Sequence, residues 1–252
     1  FRTYRVTQNG IPKDRVMKAI SSAKEDDCSL VHMSIGEPIT RDHPGHMFLC
    51  GTAEQAFEDG SLVVAAAGHR TERTSQVRCP ATSRKTAAVD GYIARCEGRR
   101  FGDVPASGAY MIRNDEDESD QPVEKDEART SWIQFCGFQD CDSEKRRSTC
   151  ERNQIIEPWH GSPEHDLREP DTMVPMTWPS SVSGEETLCL GTSYGAPIVT
   201  SSLACILSDV EEGIYPNNED ILEAIRNSND ESGELPRGRF NYDRLRSALA
   251  SL

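Results

Sequence analysis

The sequence predicts an α/β domain with a mostly parallel sheet and helices on both faces of that sheet. Two observations in the first 68 residues support this fold class. Helix-like and strand-like segments alternate there, and the connections between them are short. A strand–helix–strand unit with short connections joins parallel strands. We expect residues 1–252 to belong to one domain.

Apolar residues recur at helical spacing in residues 14–27 and again in residues 46–59, which predicts two helices. Between them, residues 28–34 (CSLVHMS) predict a short strand. Residues 61–68 (SLVVAAAG) form a continuous apolar run, which is typical of a strand buried on both faces. Towards the C-terminus, further helices are predicted over residues 196–209 and 218–229.

Residues 114–180 predict an irregular, acidic and cysteine-containing insertion. Residues 114–129 (NDEDESDQPVEKDEAR) are a block of charges with little to bury, which indicates a solvated loop. Residues 136–180 contain three cysteines, two histidines and five prolines without a sustained hydrophobic period. The ordered pattern resumes only near residue 191.

The charge of the chain excludes two classes of partner. The net charge is −14, whereas binding to nucleic acid or to an anionic membrane surface needs clustered Lys and Arg. No run of about 18 apolar residues occurs, so no membrane span is predicted. The first ten residues, FRTYRVTQNG, lack the apolar stretch of a signal peptide. We therefore expect neither nucleic acid nor membrane as a partner.

The nine cysteines do not form an even, closely spaced disulfide framework. A structural zinc ion would find ligands in Cys136, Cys141, Cys150, His160 and His165. A Cys141–Cys150 disulfide and free thiols are equally compatible with this spacing. The acidic run Asp115 to Asp120 offers oxygen ligands for calcium, but it lacks a glycine-punctuated ligand spacing, and a solvated loop is favoured.

The candidate for chemistry is Ser193, in the segment GTSYGAP that precedes the apolar run IVTSSLACIL. A nucleophilic serine needs an exposed oxygen, small neighbours and donors for a developing oxyanion. Small residues surround Ser193, and Pro197 is tolerated in a first helical turn. Ser193 would then lie at a helix N-terminus, where negative charge is favoured. From composition alone, an N-cap serine before a buried helix is the competing interpretation.

The segment GTSYGAPIVTSSLACIL resembles the nucleophile segment of the subtilisin-like serine peptidase family, Gly-Thr-Ser-x-Ala-x-Pro followed by an apolar helix. Gly195 stands where that family has Ala. Further segments resemble those of the family and occur in the family's order, namely Ser34-Ile35-Gly36, residues 60–68, Cys79-Pro80-Ala81 and Gly238-Arg239-Phe240-Asn241. The resemblance covers most of residues 1–105 and 185–252 and is weak between them.

The resemblance implies a serine endopeptidase that forms an acyl-enzyme on Ser193, acts on peptide or protein and needs no cofactor for catalysis. A structural zinc or calcium ion is compatible with this resemblance. Extended substrate would add as a strand beside Ser34, Ile35 and Gly36. The pocket for the side chain before the scissile bond would be walled by Ala66, Ala67 and Gly68.

Two departures from the family pattern affect the candidate site. His69 follows Ala-Ala-Gly where the family has an oxyanion-stabilising Asn, so we expect the His69 imidazole to be an oxyanion donor, with a plain loop residue as the alternative. The Ala-Pro-Gly that precedes the nucleophile in the family corresponds only to the altered Glu169-Pro170-Asp171.

The family's Asp-Gly and His-Gly-Thr-His motifs, which carry the triad Asp and His, do not occur in this sequence. We expect both residues to lie upstream of residue 1, so that the domain is N-terminally incomplete and this chain alone is inactive. Asp42-His43 and His46 are not favoured as a replacement base, because adjacent side chains in a loop point apart. The alternative function is a catalytically inactive, peptidase-like module that binds peptide or protein.

Overall fold

The computed structural model describes residues 2–6, 12–37, 48–68, 77–96, 100–101, 112–113, 154–158, 170–175, 177–182, 185–210, 215–230, 235 and 238–252. The helices are α1 (Lys13–Glu25), α2 (Phe48–Glu58), α3 (Thr192–Ser208), α4 (Asn218–Asn227) and α5 (Tyr242–Leu249). The main sheet contains β1 (Leu30–Met33), β2 (Leu62–Ala66), β3 (Thr86–Cys96), β6 (Gln154–Pro158) and β7 (Thr172–Pro175). Two short antiparallel pairs join β4 (Arg100–Phe101) to β5 (Ile112–Arg113) and β8 (Thr177–Val182) to β9 (Glu185–Leu190).

The main sheet is mostly parallel, as the sequence predicts. Strand β2 pairs in parallel with β1 on one edge and with β3 on the other. The far edge of β3 pairs in parallel with β7 and, further along, antiparallel with β6. The carboxyl ends of β1 and β2 therefore lie side by side, in the register Met33 opposite Ala65.

Helices cover both faces of this sheet. Leu62, Val64 and Ala66 of β2 pack in a cluster with α3, α4 and α5. The alternate residues Val63 and Ala65 pack in a second cluster with α1 and α2. Every residue of β2 is buried, because successive side chains of a strand point to opposite faces and both faces are covered. This explains the continuous apolar run, and the predicted fold class is confirmed.

Side-chain caps fix the starts of the two last helices. The Asn217 side chain accepts a hydrogen bond from the backbone N–H of Asp220 at the start of α4. The Asn241 side chain caps α5 in the same way, through the backbone N–H of Arg244. Each cap satisfies a first-turn donor that has no acceptor within the helix.

The structure corrects two expectations about the second half of the chain. Helix α3 begins at Thr192, four residues before the predicted start, so that the small residues of the motif are themselves helical. The expected irregular insertion over residues 114–180 is interrupted by β6, β7 and the first part of β8. Strand β7 is only four residues long and ends at a proline, and it is too short to show a hydrophobic period.

A disulfide joins Cys50 in α2 to Cys79, which the cysteine spacing did not predict. Both cysteines are buried. The bond ties the segment that follows β2 to the helix that precedes it. In the described part of the chain, no helix is both long enough and apolar enough to cross a membrane.

Candidate active site

Ser193 is the second residue of α3, and Gly191 immediately precedes that helix. Gly191 has a φ of 155° and a ψ of 147°, a backbone conformation that is essentially restricted to glycine. The half-buried Ser193 contacts Ser34, the residue after β1. The predicted position at the N-terminus of a buried helix is therefore confirmed, and this end of a helix favours negative charge.

The carbonyl oxygen of Ser193 is held by a side chain rather than by the helix. In an α-helix this oxygen would accept a hydrogen bond from the N–H four residues later. That residue is Pro197, which has no N–H. The hydroxyl of Ser34 donates to the Ser193 carbonyl oxygen instead, at 2.9 Å. The Ser34 side chain thus compensates for the proline in the first turns of α3.

The same pair of serines makes a second, longer contact, because the Ser193 hydroxyl donates to the Ser34 carbonyl oxygen at 3.4 Å. In the part of the chain that the structure describes, no imidazole or carboxylate is hydrogen-bonded to the Ser193 hydroxyl. The hydroxyl is therefore oriented by backbone, with its proton directed at β1.

His32, on β1, extends this network. Its Nε2 atom lies 2.9 Å from the Ser34 hydroxyl oxygen. Because Ser34 gives its single proton to Ser193, the Nε2–H of His32 is the donor in this contact. The Nδ1 atom lies 3.3 Å from the Thr200 hydroxyl on α3. Burial lowers the pKa of the His32 imidazole. The neutral ring, with its proton on Nε2, is therefore favoured.

Gly68, after β2, is fixed against the residue before Ser193. The Thr192 hydroxyl donates to the Gly68 carbonyl oxygen at 2.9 Å, and the Gly68 N–H donates to the same hydroxyl oxygen at 3.0 Å. Thr192 is fully buried. The carboxyl ends of β1 and β2 are thus both bonded to the first two residues of α3.

Replacing Ser34 with alanine is expected to lower the free energy of unfolding by about 1–3 kcal/mol, because the half-buried Ser193 carbonyl loses its donor. Ser34→Thr keeps the hydroxyl and should retain most of the stability. Pro197→Ala restores an N–H to α3, so Ser34→Ala should cost less in that background. Urea denaturation of the four combinations of Ser34→Ala and Pro197→Ala measures the coupling. Equal costs in both backgrounds would contradict the compensation.

Gly195 is required by the packing of α3 against β7. A Cβ atom at this position would lie 2.0 Å from the Cγ2 atom of Val174, which is itself buried. Val174 therefore occupies the space that a methyl group would need. The difference from the family's Ala at this position is explained by this contact.

Gly195→Ala is expected to destabilise the fold by about 1–3 kcal/mol through overpacking. Val174→Ala removes the clashing methyl groups, so the double variant Gly195→Ala/Val174→Ala should be more stable than the sum of the single costs predicts. Chemical denaturation of the two single variants and the double variant tests this. Purely additive costs would show that the two side chains do not compete for one space.

The remaining residues that were predicted to bind substrate differ in their environments. Ile35 packs against the cluster of α1 and α2, and Gly36 follows it in the chain. The side chains of Ala66 and Ala67 are buried in the core, on opposite faces of the sheet. The backbone N–H of Ala67 donates to Val89, and its carbonyl accepts from Arg78. Of the six, Ser34 and Gly68 contact the Thr192–Ser193 pair directly.

Several predicted residues lie outside the described residues, and their roles stay predictions. His69 is one of them, as are Asp42, His43 and His46. The candidate metal ligands lie outside as well, in the acidic run of residues 115–120 and in the set Cys136, Cys141, Cys150, His160 and His165. Among the residues that the structure does describe, no cluster of three or more His, Cys, Asp or Glu side chains fits a metal ion.

The sequence patterns did not indicate two residues that contact the strand ends at the site, His32 and Arg78. His32 sits within β1, where an alternating strand pattern was the only signal. Arg78 directly precedes the Cys-Pro-Ala segment and hydrogen-bonds through its N–H to Ala67 at 2.8 Å. For Arg78, the available signal was its charge and its place directly before Cys79-Pro80-Ala81.

Comparison of the structure with solved structures supports the fold. The chain is similar to the prenylagaramide maturation protease PagA, with 16% sequence identity, a TM-score of 0.53 and coverage of 96% of this chain and 69% of that chain. It is similar to the self-cleaved protease domain of PatA, with 17% identity, a TM-score of 0.54 and coverage of 96% and 69%. A lanthipeptide protease gives 14% identity, a TM-score of 0.54 and coverage of 97% and 68%.

No curated protein sequence gives a significant match to the chain. The sequence profile of the Subtilase family, in contrast, matches residues 3–241. This match spans both the strand ends and the helix that carries Ser193, and the fold agrees with it. The chain belongs to the subtilase family and has a subtilisin-like peptidase fold.

Proposed function

We propose that this chain provides the nucleophile and the substrate-binding strand ends of a serine endopeptidase. The observation that carries the proposal is the position of Ser193. Its hydroxyl lies at the N-terminus of α3, and its backbone is fixed by Ser34, while Thr192 before it is fixed to Gly68. A preorganised nucleophile beside two parallel strand ends is suited to attack on a peptide laid along them.

In the proposed reaction, the Ser193 oxygen attacks the carbonyl carbon of the scissile bond while a histidine removes the hydroxyl proton. The carbon–nitrogen bond breaks, the leaving amine takes that proton, and an acyl-enzyme forms on Ser193. Water then attacks the acyl carbon while the same histidine takes its proton, the bond from that carbon to the Ser193 oxygen breaks, and the serine oxygen regains a proton from the histidine as the new carboxyl terminus leaves. The negative charge on the carbonyl oxygen would be stabilised at the N-terminus of α3 and by the proposed donor His69.

The proposal takes the general base from outside these 252 residues, because the family's His-Gly-Thr-His motif is absent from the sequence. His32 is not proposed as the base, since its Nε2 atom contacts Ser34 rather than the Ser193 hydroxyl. The substrate would be peptide or protein. No cofactor is required by this chemistry.

Labelling with a fluorophosphonate probe tests this function directly. The probe reacts when a serine oxygen displaces fluoride from phosphorus and a base takes the proton. The 252-residue chain and the product of the complete reading frame should be compared under identical conditions. We expect labelling of the complete product at Ser193, none of the 252-residue chain, and none of the complete Ser193→Ala variant.

A labelled peptide mapped to another serine would overturn the assignment of Ser193. A complete product that folds and binds peptide without any labelling would instead identify an inactive peptidase-like module. Circular dichroism and thermal melting of Ser193→Ala show whether the variant keeps the fold, so that loss of labelling is attributable to the hydroxyl.

A further inference from the structure

The segment around Arg78 fills the space between the carboxyl ends of β1 and β2. On one side, the Arg78 N–H donates to the Ala67 carbonyl at 2.8 Å. On the other side, Cys79 and Glu37 exchange two backbone hydrogen bonds, of 2.8 and 3.0 Å. Cys79 is also held by its disulfide to Cys50. Arg78 is therefore fixed by its backbone at the point where the two strands separate.

The Arg78 side chain passes between two glycines. A Cβ atom at Gly68 would lie 2.5 Å from the Cδ atom of Arg78, and a Cβ atom at Gly36 would lie 3.0 Å from its Cβ atom. Gly68 also has a φ of +107°, which other residues rarely adopt. Any larger residue at Gly68 would displace the arginine, so the two strand ends provide the room that this side chain occupies.

The Arg78 side chain has a buried donor that the described residues do not satisfy. Its Nε atom is buried and has no hydrogen-bond acceptor among the described residues. Burial lowers the pKa of the guanidinium, although arginine stays protonated. In the neighbouring Glu37, one carboxylate oxygen is paired with Lys13 on α1, and the other is buried without a hydrogen-bond partner among the described residues. A guanidinium held in this way gains most from a carboxylate, which it can bind through two parallel hydrogen bonds.

The contacts of Arg78 and of Ser193 indicate which residue of a bound peptide would carry such a carboxylate. Gly68 is bonded to Thr192, and Gly36 is two residues after Ser34, which is bonded to Ser193. On the proposed function, a peptide laid along these strand ends with its carbonyl at the Ser193 oxygen brings the residue before the scissile bond next to Gly68 and Gly36. The Arg78 side chain lies against both glycines.

We propose that Arg78 selects substrates with an acidic residue, Asp or Glu, immediately before the scissile bond. This inference rests on the proposed peptidase function, and it adds the substrate class. The overall charge of −14 opposes acidic peptides at long range, so recognition depends on the local cation.

Three chromogenic peptides that differ only in Glu, Gln or Lys before the scissile bond test the selectivity. The complete enzyme should cleave the Glu peptide with a kcat/KM about 10- to 100-fold above that of the Gln peptide. Arg78→Gln should abolish this difference. Arg78→Glu should reverse the preference towards Lys. Arg84→Gln is the matched control, because Arg84 is exposed and the substitution removes the same charge from the surface. This variant should keep the preference for Glu unchanged.

A binding measurement distinguishes a failure of the Arg78 role from a failure of the proposed peptidase function. In the Ser193→Ala background, fluorescence anisotropy should show tighter binding of the Glu peptide than of the Gln peptide, and Arg78→Gln should remove the difference. Such discrimination in a protein that never labels with fluorophosphonate would support Arg78 while the hydrolase proposal fails. A labelled enzyme that treats Glu and Gln alike, or whose Arg78→Gln variant melts normally with an unchanged preference for Glu, would overturn the role of Arg78.

Discussion

Replacing Asp171 with alanine is expected to lower the free energy of unfolding by about 2–4 kcal/mol, because a partly buried ion pair and a buried backbone N–H both lose their acceptor. Asp171 is 3% exposed and directly precedes β7. One carboxylate oxygen accepts from the Arg226 Nε atom on α4 at 2.7 Å, and the other accepts from the Ala88 N–H on β3 at 2.7 Å. The side chain thus joins a helix, a central strand and β7.

The expected loss is large because the partners of Asp171 cannot all recover. Without the carboxylate, Arg226 keeps its contact with the Arg84 carbonyl but loses its buried charge partner. The Ala88 N–H is left in the core without its acceptor, and such a group costs about 1–3 kcal/mol. Asp171→Asn keeps the size and one acceptor oxygen, so its cost should be intermediate.

Asp209→Ala provides the matched control, because Asp209 pairs with Arg246 at 3.7 Å on the surface, where both side chains are mostly exposed. Exposed pairs contribute only about 0–1 kcal/mol. Urea denaturation at one pH should therefore separate the two variants clearly. Equal midpoints for Asp171→Ala and Asp209→Ala would show that the partly buried Asp171–Arg226 pair contributes no more than a surface pair.

The parts of the fold that the sequence predicted are those with a signal in consecutive residues. The run of residues 61–68 is apolar at every position because β2 is covered on both faces, and that pattern is readable without the structure. The same holds for α1 and α2, whose apolar positions repeat at helical spacing. The segment around Ser193 combines small residues, a proline and an apolar helix, and its position at the start of α3 followed from them.

The parts that the sequence did not predict depend on partners far apart in the chain. Asp171 pairs with Arg226 across 55 positions, and Cys50 pairs with Cys79 across 29. Strand β7 offers four residues, too few to show a period, although it is buried between β3 and α3. Pro197 is the sixth residue of α3, beyond the first turn that the sequence predicted for it, and the need for a hydroxyl at Ser34 appears only once the two residues are brought together.

In the active protein, His69→Ala is expected to lower kcat by about 100- to 1000-fold, or about 2.7–4 kcal/mol, as for the loss of one oxyanion donor. The reason is the path of the chain before it. Gly68 is bonded through both its N–H and its carbonyl to Thr192, the residue before the nucleophile. His69 is the next residue, at the sequence position where the family has an amide donor. An imidazole N–H can make the same donation in the appropriate tautomer.

The comparison with His69→Asn makes this prediction specific. Asparagine restores the family's donor, so it should keep most of the activity, whereas Ala removes the N–H. Since the oxyanion forms only in the transition state, the loss in His69→Ala should appear in kcat with KM little changed. Steady-state kinetics of the three proteins on one peptide measures both parameters. If His69→Ala turns over as fast as the parent, the oxyanion is stabilised by backbone N–H groups alone, and His69 has no catalytic role.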